Sequence, residues 1–270
     1  MSLSNKKIGF IGAGNMAFAL MKGLVNSGLV PPENIMASDP EPSRFEGLSK
    51  SLGINITMDN IEVAKKSQII MICVKPQIAK QVMDEISQFL KDKLLISIAA
   101  GVKTEFYEHY LSGLRVIRVM SNTPALVGEG SSAICAGKYA GKPELETATE
   151  LFCSVGKVAV IAEKQMDAVT GLSGSGPAYV FKFIEALADA GVKLGLSRET
   201  SRMLAAQTVY GSAKLVLETG EHPMALKDMV TSPGGTTIVG VHMLEKGGFS
   251  AAVIDAVEEA TKRSEELGKK

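Results

Sequence analysis

Over the first 162 residues, short apolar runs alternate with stretches of helical period. Lys7–Gly12, Asn34–Ser38, Gln68–Val74, Leu94–Ala99 and Arg115–Met120 read as strands, with shorter ones at Ser132–Ala136 and Lys157–Ile161. The run Gln68–Val74 is apolar at almost every position, as in a strand covered on both faces of a parallel sheet. Between the runs, Met16–Asn26, Glu41–Leu52, Ile61–Lys66, Gln77–Leu90, Lys103–Tyr110 and Pro143–Val155 carry helical periodicity. This alternation predicts βαβ units with right-handed crossovers and a mostly parallel sheet.

Past Ala162 no run reads as a strand. Helices are predicted at Gly176–Leu194, Ser197–Glu218, Pro223–Val230, Thr236–Lys246 and Ser250–Leu267. Gly176–Leu194 is apolar nearly all round, so it must be covered on several sides. A domain of this size offers too little cover, and a second chain is expected to supply it. The expected fold class is an α/β N-terminal domain over residues 1–162, followed by an all-α domain over residues 163–270.

The first chemical signal is Gly12-Ala13-Gly14-Asn15-Met16-Ala17, which follows a strand and opens a helix. The first glycine allows the tight turn and the second lets a pyrophosphate approach the backbone. The small Ala17 permits close helix–strand packing. Asp39 ends the second strand, a little beyond the roughly 20-residue offset at which an acid holds a ribose 2′-hydroxyl. That favours NAD, whereas Arg44, one turn on, suits a 2′-phosphate; Asp39 serves equally as a helix N-cap. Val74-Lys75-Pro76 and Ser97-Ile98-Ala99-Ala100-Gly101 follow the next two strands, where open α/β sheets bind ligands. Small Ala99 and Ala100 leave room for a nicotinamide ring, though an ordinary turn explains Pro76 and Gly101 alone. Met120-Ser121-Asn122-Thr123-Pro124 suits substrate orientation or a turn equally.

In the helical half, Gly171–Tyr179 places Ser175 as a helix N-cap and Pro177 in the first turn. Its repeated glycines and serines also suit a wall facing substrate. Ser232-Pro233-Gly234-Gly235-Thr236-Thr237 breaks the helical pattern and feeds a new helix. Such a turn presents free N–H groups and the positive end of the helix dipole to a small anion such as a carboxylate.

Composition narrows the partners. Lys+Arg and Asp+Glu both number 29, so net charge is zero. That argues against a nucleic-acid or anionic-membrane partner and eases self-association. Cys73, Cys135 and Cys153 are scattered, and His109, His222 and His242 have no metal-ligand spacing, so no metal is expected. Met1–Lys7 is polar and no apolar run reaches membrane-spanning length, which points to the cytoplasm.

Together these motifs make the chain resemble pyrroline-5-carboxylate reductase along essentially its whole length. The most specific segments are Gly171–Tyr179 and Leu226–Thr237. The resemblance implies a Rossmann domain followed by an all-helical dimerisation domain, with dimers assembled into a larger ring. It implies hydride transfer from NAD(P)H to the imine carbon of 1-pyrroline-5-carboxylate, giving L-proline, the last step of proline biosynthesis. Carried over by motif, Ile11, Gly12, Ala13, Gly14, Asn15 and Met16 contact the cofactor, with Asp39, Asn60, Val74, Lys75, Pro76, Ala99 and Ala100. Pro233, Gly234, Gly235, Thr236 and Thr237 hold the substrate carboxylate, and the Thr237 hydroxyl bonds the ring nitrogen. Ser175 and Ser232 are secondary catalytic candidates. Family members usually take NADP(H), and Asp39 leaves NAD(H) as the alternative.

Two rivals make different demands. A β-hydroxyacid dehydrogenase resembles this plan but carries a lysine one turn after its Gly-x-x-Gly-x-Gly segment, then an asparagine. Here the nearest lysine after Gly171-x-x-Gly174-x-Gly176 is Lys182, too far along, with no asparagine after it. A non-catalytic NAD(P)-binding sensor has no use for the Ser232–Thr237 turn.

Overall fold

A computed structural model of the chain describes residues 3–45 and 51–268. In chain order the first part holds β1 (Ile8–Ile11), α1 (Asn15–Asn26), β2 (Ile35–Ser38), β3 (Asn55–Thr57), α2 (Asn60–Lys66), β4 (Ile69–Ile72) and α3 (Pro76–Ile86). Then come β5 (Leu94–Ser97), α4 (Thr104–Glu108), β6 (Arg115–Met120), β7 (Gly130–Ala136), α5 (Lys142–Cys153) and β8 (Gly156–Val160). One sheet runs in the order β3-β2-β1-β4-β5-β6-β7-β8. All pairs are parallel except β6 with β7.

β1, β4 and β5 are buried at every position. Alternation divides their side chains between two cores. Ile69 and Met71 join α1 and α5 on one face, while Ile70 and Ile72 join α2, α3 and α4 on the other. Burying each such side chain contributes about 1.5–3 kcal/mol, so these short runs anchor the sheet with helices on both faces.

The edge strand β3 escapes the sequence reading. It has three residues, two of them exposed, and exists by pairing Met36 with Asn55. Of the helix expected at Glu41–Leu52, the described part begins as a 3₁₀ turn at Pro42–Arg44; residues 46–50 lie outside the described residues.

After β8 a helical turn, α6 (Met166–Val169), runs into a π turn at Thr170–Gly174 closed by Ser175 N–H donating to Thr170 O at 2.8 Å. Ser175 therefore has helical backbone and is not an extended N-cap. The wider turn suits Pro177, which has no N–H to give to the carbonyl four residues earlier. That carbonyl, on Ser173, accepts instead from Asn122 Nδ2 at 3.0 Å, and Asn122 Oδ1 accepts from Ser131 N–H at 2.9 Å. Both ends of the Asn122 amide are thus engaged in holding the backbone.

The remaining helices are α7 (Gly176–Lys193), α8 (Arg198–Thr219), α9 (Pro223–Met229), α10 (Thr236–Lys246) and α11 (Phe249–Leu267). Contacts group the chain into two compact units, Met1–Ser175 with Ala260–Lys270, and Gly176–Glu259. Within the second, α7 packs on α8 and on the start of α11. The Phe183 and Phe249 rings lie 5.7 Å apart, and the Tyr179 hydroxyl donates to Ala256 O at 3.3 Å. Little of this unit is buried. Phe181, Met203, Leu217, Met229, Val239 and Ile254 are each more than half exposed, far beyond the scattered apolar exposure of an ordinary monomer surface. No helix among the described residues is long and apolar enough to cross a membrane.

Candidate cofactor cleft and anion-binding turn

The Gly-rich turn sits between β2 and β4. Gly12 N–H donates to Ser38 O, and Cys73 N–H donates to Ile11 O, both at 2.8 Å. Gly12 has φ +97°, and a Cβ there would stand 2.6 Å from Cys73 O, so no other residue fits the turn unstrained. Gly14 is different. Its backbone is extended, and a Cβ would meet nothing nearer than Arg44 Nη1 at 3.9 Å. The space beside it is open, as an approaching pyrophosphate requires. Gly14 provides no side-chain cap for α1, so the first N–H groups of that helix are available to an anion.

The turn opens on a cleft of about 1080 Å³. Of the residues the motifs single out, Ile11, Gly12, Ala13, Gly14 and Asn15 line it, as do Asp39, Asn60, Val74 and Lys75. Met16, Pro76, Ala99 and Ala100 do not. Met16 packs against the core, and Pro76 occupies the first position of α3 behind Lys75, its N-cap. Ala99 is buried and its N–H donates to Ser97 Oγ at 3.2 Å, while Ala100 is exposed. Ser97 Oγ also meets the hydroxyl of buried Tyr107 at 2.6 Å. Burial pushes the Tyr107 phenol up to about 12, partly offset by that hydrogen bond.

Asp39 is 4 % exposed, and its carboxylate is fully occupied. Oδ2 accepts from Ala13 N–H at 2.9 Å and from Arg44 Nη1 at 3.1 Å; Oδ1 accepts from Glu41 N–H at 3.0 Å. The acid ties the Gly-rich turn to the end of β2. Arg44 is 45 % exposed on the rim, its Nε donating to Glu41 Oε2 at 3.1 Å. Asn60 accepts from Ser38 Oγ and donates to Glu85 Oε2, both at 2.8 Å. The cleft-lining residues Ile78, Gln81, Val82 and Glu85 were not singled out from the sequence. Their i, i+3, i+4, i+7 spacing puts them on one face of α3, a signal visible only once the neighbouring strand ends are known.

In the second unit, Gly235 N–H donates to Ser232 O at 3.0 Å, closing a turn with Pro233 and Gly234 at its centre. Gly234 has φ +68°, the left-handed value that the third position of a type II turn demands. Gly235 then caps α10 without a side-chain bond, so the helix begins with unpaired N–H groups. The Thr237 hydroxyl, half-buried in this first turn, has no hydrogen bond among the described residues. Ser232 is exposed beside it, whereas Ser175 belongs to the first unit.

A doubly wound sheet whose first strand ends in the Gly12–Asn15 turn, with a cleft of this size beside it, defines a dinucleotide-dependent oxidoreductase. The comparisons with known proteins narrow the class. The model of the pyrroline-5-carboxylate reductase dimerisation domain matches residues 163–267, and that of coenzyme F420-dependent NADP oxidoreductases matches residues 7–101. A pyrroline-5-carboxylate reductase of Methanosarcina acetivorans is 50 % identical over 99 % of this chain and all of its own. The structure of the Coxiella burnetii enzyme superposes with a TM-score of 0.92, at 36 % identity over 97 % of this chain and 98 % of that one. The Plasmodium falciparum enzyme, solved with NADP bound, gives 0.87 at 41 % identity over 98 % and 99 %. The chain belongs to the pyrroline-5-carboxylate reductase family.

Proposed function

We propose that this chain reduces 1-pyrroline-5-carboxylate to L-proline with NADPH as the hydride donor. What carries the reading is the presence in one chain of two open anion-receiving backbones, the Gly12–Asn15 turn and the Ser232–Thr237 turn. The named relatives support it by matching the chain nearly end to end.

The cofactor supplies the hydride. In the first unit, Gly12, Gly14 and the start of α1 receive the pyrophosphate, and Val74 and Lys75 border the rest. Asp39 holds the turn in shape through Ala13, and Arg44 meets the 2′-phosphate by leaving its exposed pair with Glu41. An exposed pair of this kind is worth only about 0–1 kcal/mol. In the second unit, the N–H groups of Gly234, Thr236 and Thr237 hold the substrate carboxylate, and the Thr237 hydroxyl orients the ring nitrogen. A protonated cyclic imine is already electrophilic: hydride adds to carbon, the C=N π pair moves to nitrogen, and the amine results. The chain's contribution is orientation and exclusion of water, which needs no carboxylate dyad or metal. Met16, Pro76 and buried Ala99 support the cleft-lining residues, exposed Ala100 meets the cofactor from the turn after β5, and Ser175 and Ser232 are auxiliary. Residues 1–162 form the cofactor domain and residues 163–270 the dimerisation domain, the exposed apolar side chains of the helical unit meet a second copy, and dimers build a larger ring in the cytoplasm.

The test is oxidation of NADPH and, separately, NADH by the purified protein with pyrroline-5-carboxylate, followed by the nicotinamide absorbance. Proline should accumulate in step with cofactor consumed, faster with NADPH. No substrate-dependent loss of absorbance, with cofactor still bound, would overturn the reading in favour of a binding module.

A further inference from the structure

A second cavity, of about 160 Å³, lies in the first unit and is lined by Gly101, Lys103, Arg118, Asp167, Glu265 and Gly268. None of these residues takes part in the proposed reaction. Four carry charge, two of each sign. Arg118, on β6, is more than nine-tenths buried, yet among the described residues its guanidinium makes one hydrogen bond, a 3.3 Å contact from Nη1 to Glu163 Oε1. Glu163 is satisfied elsewhere as well, accepting from Thr104 N–H and Thr104 Oγ1 at 2.8 Å each. Of the five donors on a guanidinium most are therefore left over. They are not sealed in apolar surroundings, because the one buried polar side-chain atom without a partner among the described residues is Ser201 Oγ. Arg118 lines the cavity, which is where a ligand can meet the leftover donors. On the same cavity, Asp167 Oδ1 accepts from Ser264 Oγ at 2.6 Å, and Oδ2 has no hydrogen bond among the described residues. Lys103 and Glu265 stand exposed at the rim, neither in an ion pair among the described residues.

The chemistry of the ligand follows from this arrangement. An anion alone meets Arg118 and Lys103 but is repelled by Asp167 and Glu265; a cation alone faces the reverse. A molecule carrying both charges a few ångströms apart satisfies both pairs. The volume has room for about eleven to sixteen water-sized groups at about 10–15 Å³ each, enough for a small amino acid with some of its hydration. We propose that this cavity is a binding site for a small zwitterionic amino acid, its carboxylate on Arg118 and Lys103 and its ammonium on Asp167 and Glu265. Such a ligand would tie the segment around Ser264–Gly268 to the turn after β5.

The test is direct binding to the full chain, free of cofactor, by titration calorimetry and by the backbone amide spectra of Gly101 and Gly268. The probes are glycine and L-alanine, against acetate and methylammonium at equal ionic strength. Glycine and alanine should bind and move both glycine amides, with the two single-charge probes at least 10-fold weaker. Lys103→Glu and Asp167→Asn should each weaken binding 10-fold or more, while Thr237→Val leaves it unchanged, which separates this cavity from the Ser232–Thr237 turn. Binding lost in Thr237→Val but kept in Lys103→Glu would overturn the proposal. So would acetate binding as tightly as glycine, or no shift at Gly101 and Gly268.

Discussion

Replacing Gly12 by alanine should separate the two glycines of the dinucleotide turn. At Gly12, φ is +97° and the new Cβ would lie 2.6 Å from Cys73 O, 2.8 Å from Cys73 C and 3.1 Å from Val74 Cγ1. The first two are backbone atoms at the end of β4 and cannot rotate away. Non-glycine residues in sparsely populated backbone regions cost about 1–3 kcal/mol, and overpacking adds about 1–3 kcal/mol. A chain this size loses about 2–4 °C of melting temperature per kcal/mol, so Gly12→Ala should melt roughly 5–20 °C lower. Relief requires β1 and β4 to part, stretching the 2.8 Å bonds of Gly12 N–H and Cys73 N–H, so cofactor affinity should fall with stability. Gly14→Ala is the control. Its backbone suits alanine and its side is open, so stability should hold or rise by about 0.4–1 kcal/mol. Its methyl instead occupies the space a pyrophosphate needs, and affinity should drop roughly 10–100-fold, the equivalent of about 1–3 kcal/mol of overpacking. Thermal melts and NADPH titrations of both variants check this. A Gly12→Ala protein melting within about 2 °C of wild type with unchanged NADPH affinity would refute the reasoning, since a Cβ at these distances cannot be accommodated without movement.

Thr237→Val should lower kcat/KM roughly 10–100-fold, the worth of a hydrogen bond to a charged group, while NADPH affinity stays level; an equal loss of cofactor binding would misplace the hydroxyl. Arg44→Ser should weaken NADPH binding by about 10-fold or more, as expected for one lost charge-assisted contact, and leave NADH nearly untouched, read by paired titrations. Asp39→Asn should weaken both cofactors together, because the carboxylate holds Ala13 and Arg44 at the turn rather than standing free. Burial holds the Tyr107 phenol at about 12 against about 10 when unfolded, a difference of about 3 kcal/mol. Below pH 10 the group adds no pH dependence; between 10 and 12 only the unfolded chain ionises, so stability falls as pH rises. Tyr107→Phe should remove that part of the alkaline loss in denaturant titrations, and an unchanged slope would show that the phenol ionises while folded.

Local pattern carried much of this protein. Runs such as Gln68–Val74 announced buried parallel strands because both faces of such a strand must be apolar. Gly12–Ala17 announced the cofactor turn because its chemistry is backbone geometry confined to six neighbouring residues. The Ser232–Gly235 turn was legible for the same reason: proline and glycine specify their own dihedrals. What the chain alone did not reveal depends on residues distant in sequence. β3 is a strand because Met36 offers a free edge to Asn55. Asp39 had two plausible uses, ribose contact and helix N-cap, and the fold gave its carboxylate to Ala13, 26 residues away. Ser175 looked like a cap until the carbonyl freed by Pro177 met Asn122 across 51 residues. The cavity around Arg118 was invisible, since its walls come from β6, the turn after β5, α6 and the last helix. Short-range sterics and periodicity are written in order along the chain. Where a side chain's polar atoms find partners is settled only when the fold brings separate segments within hydrogen-bond reach.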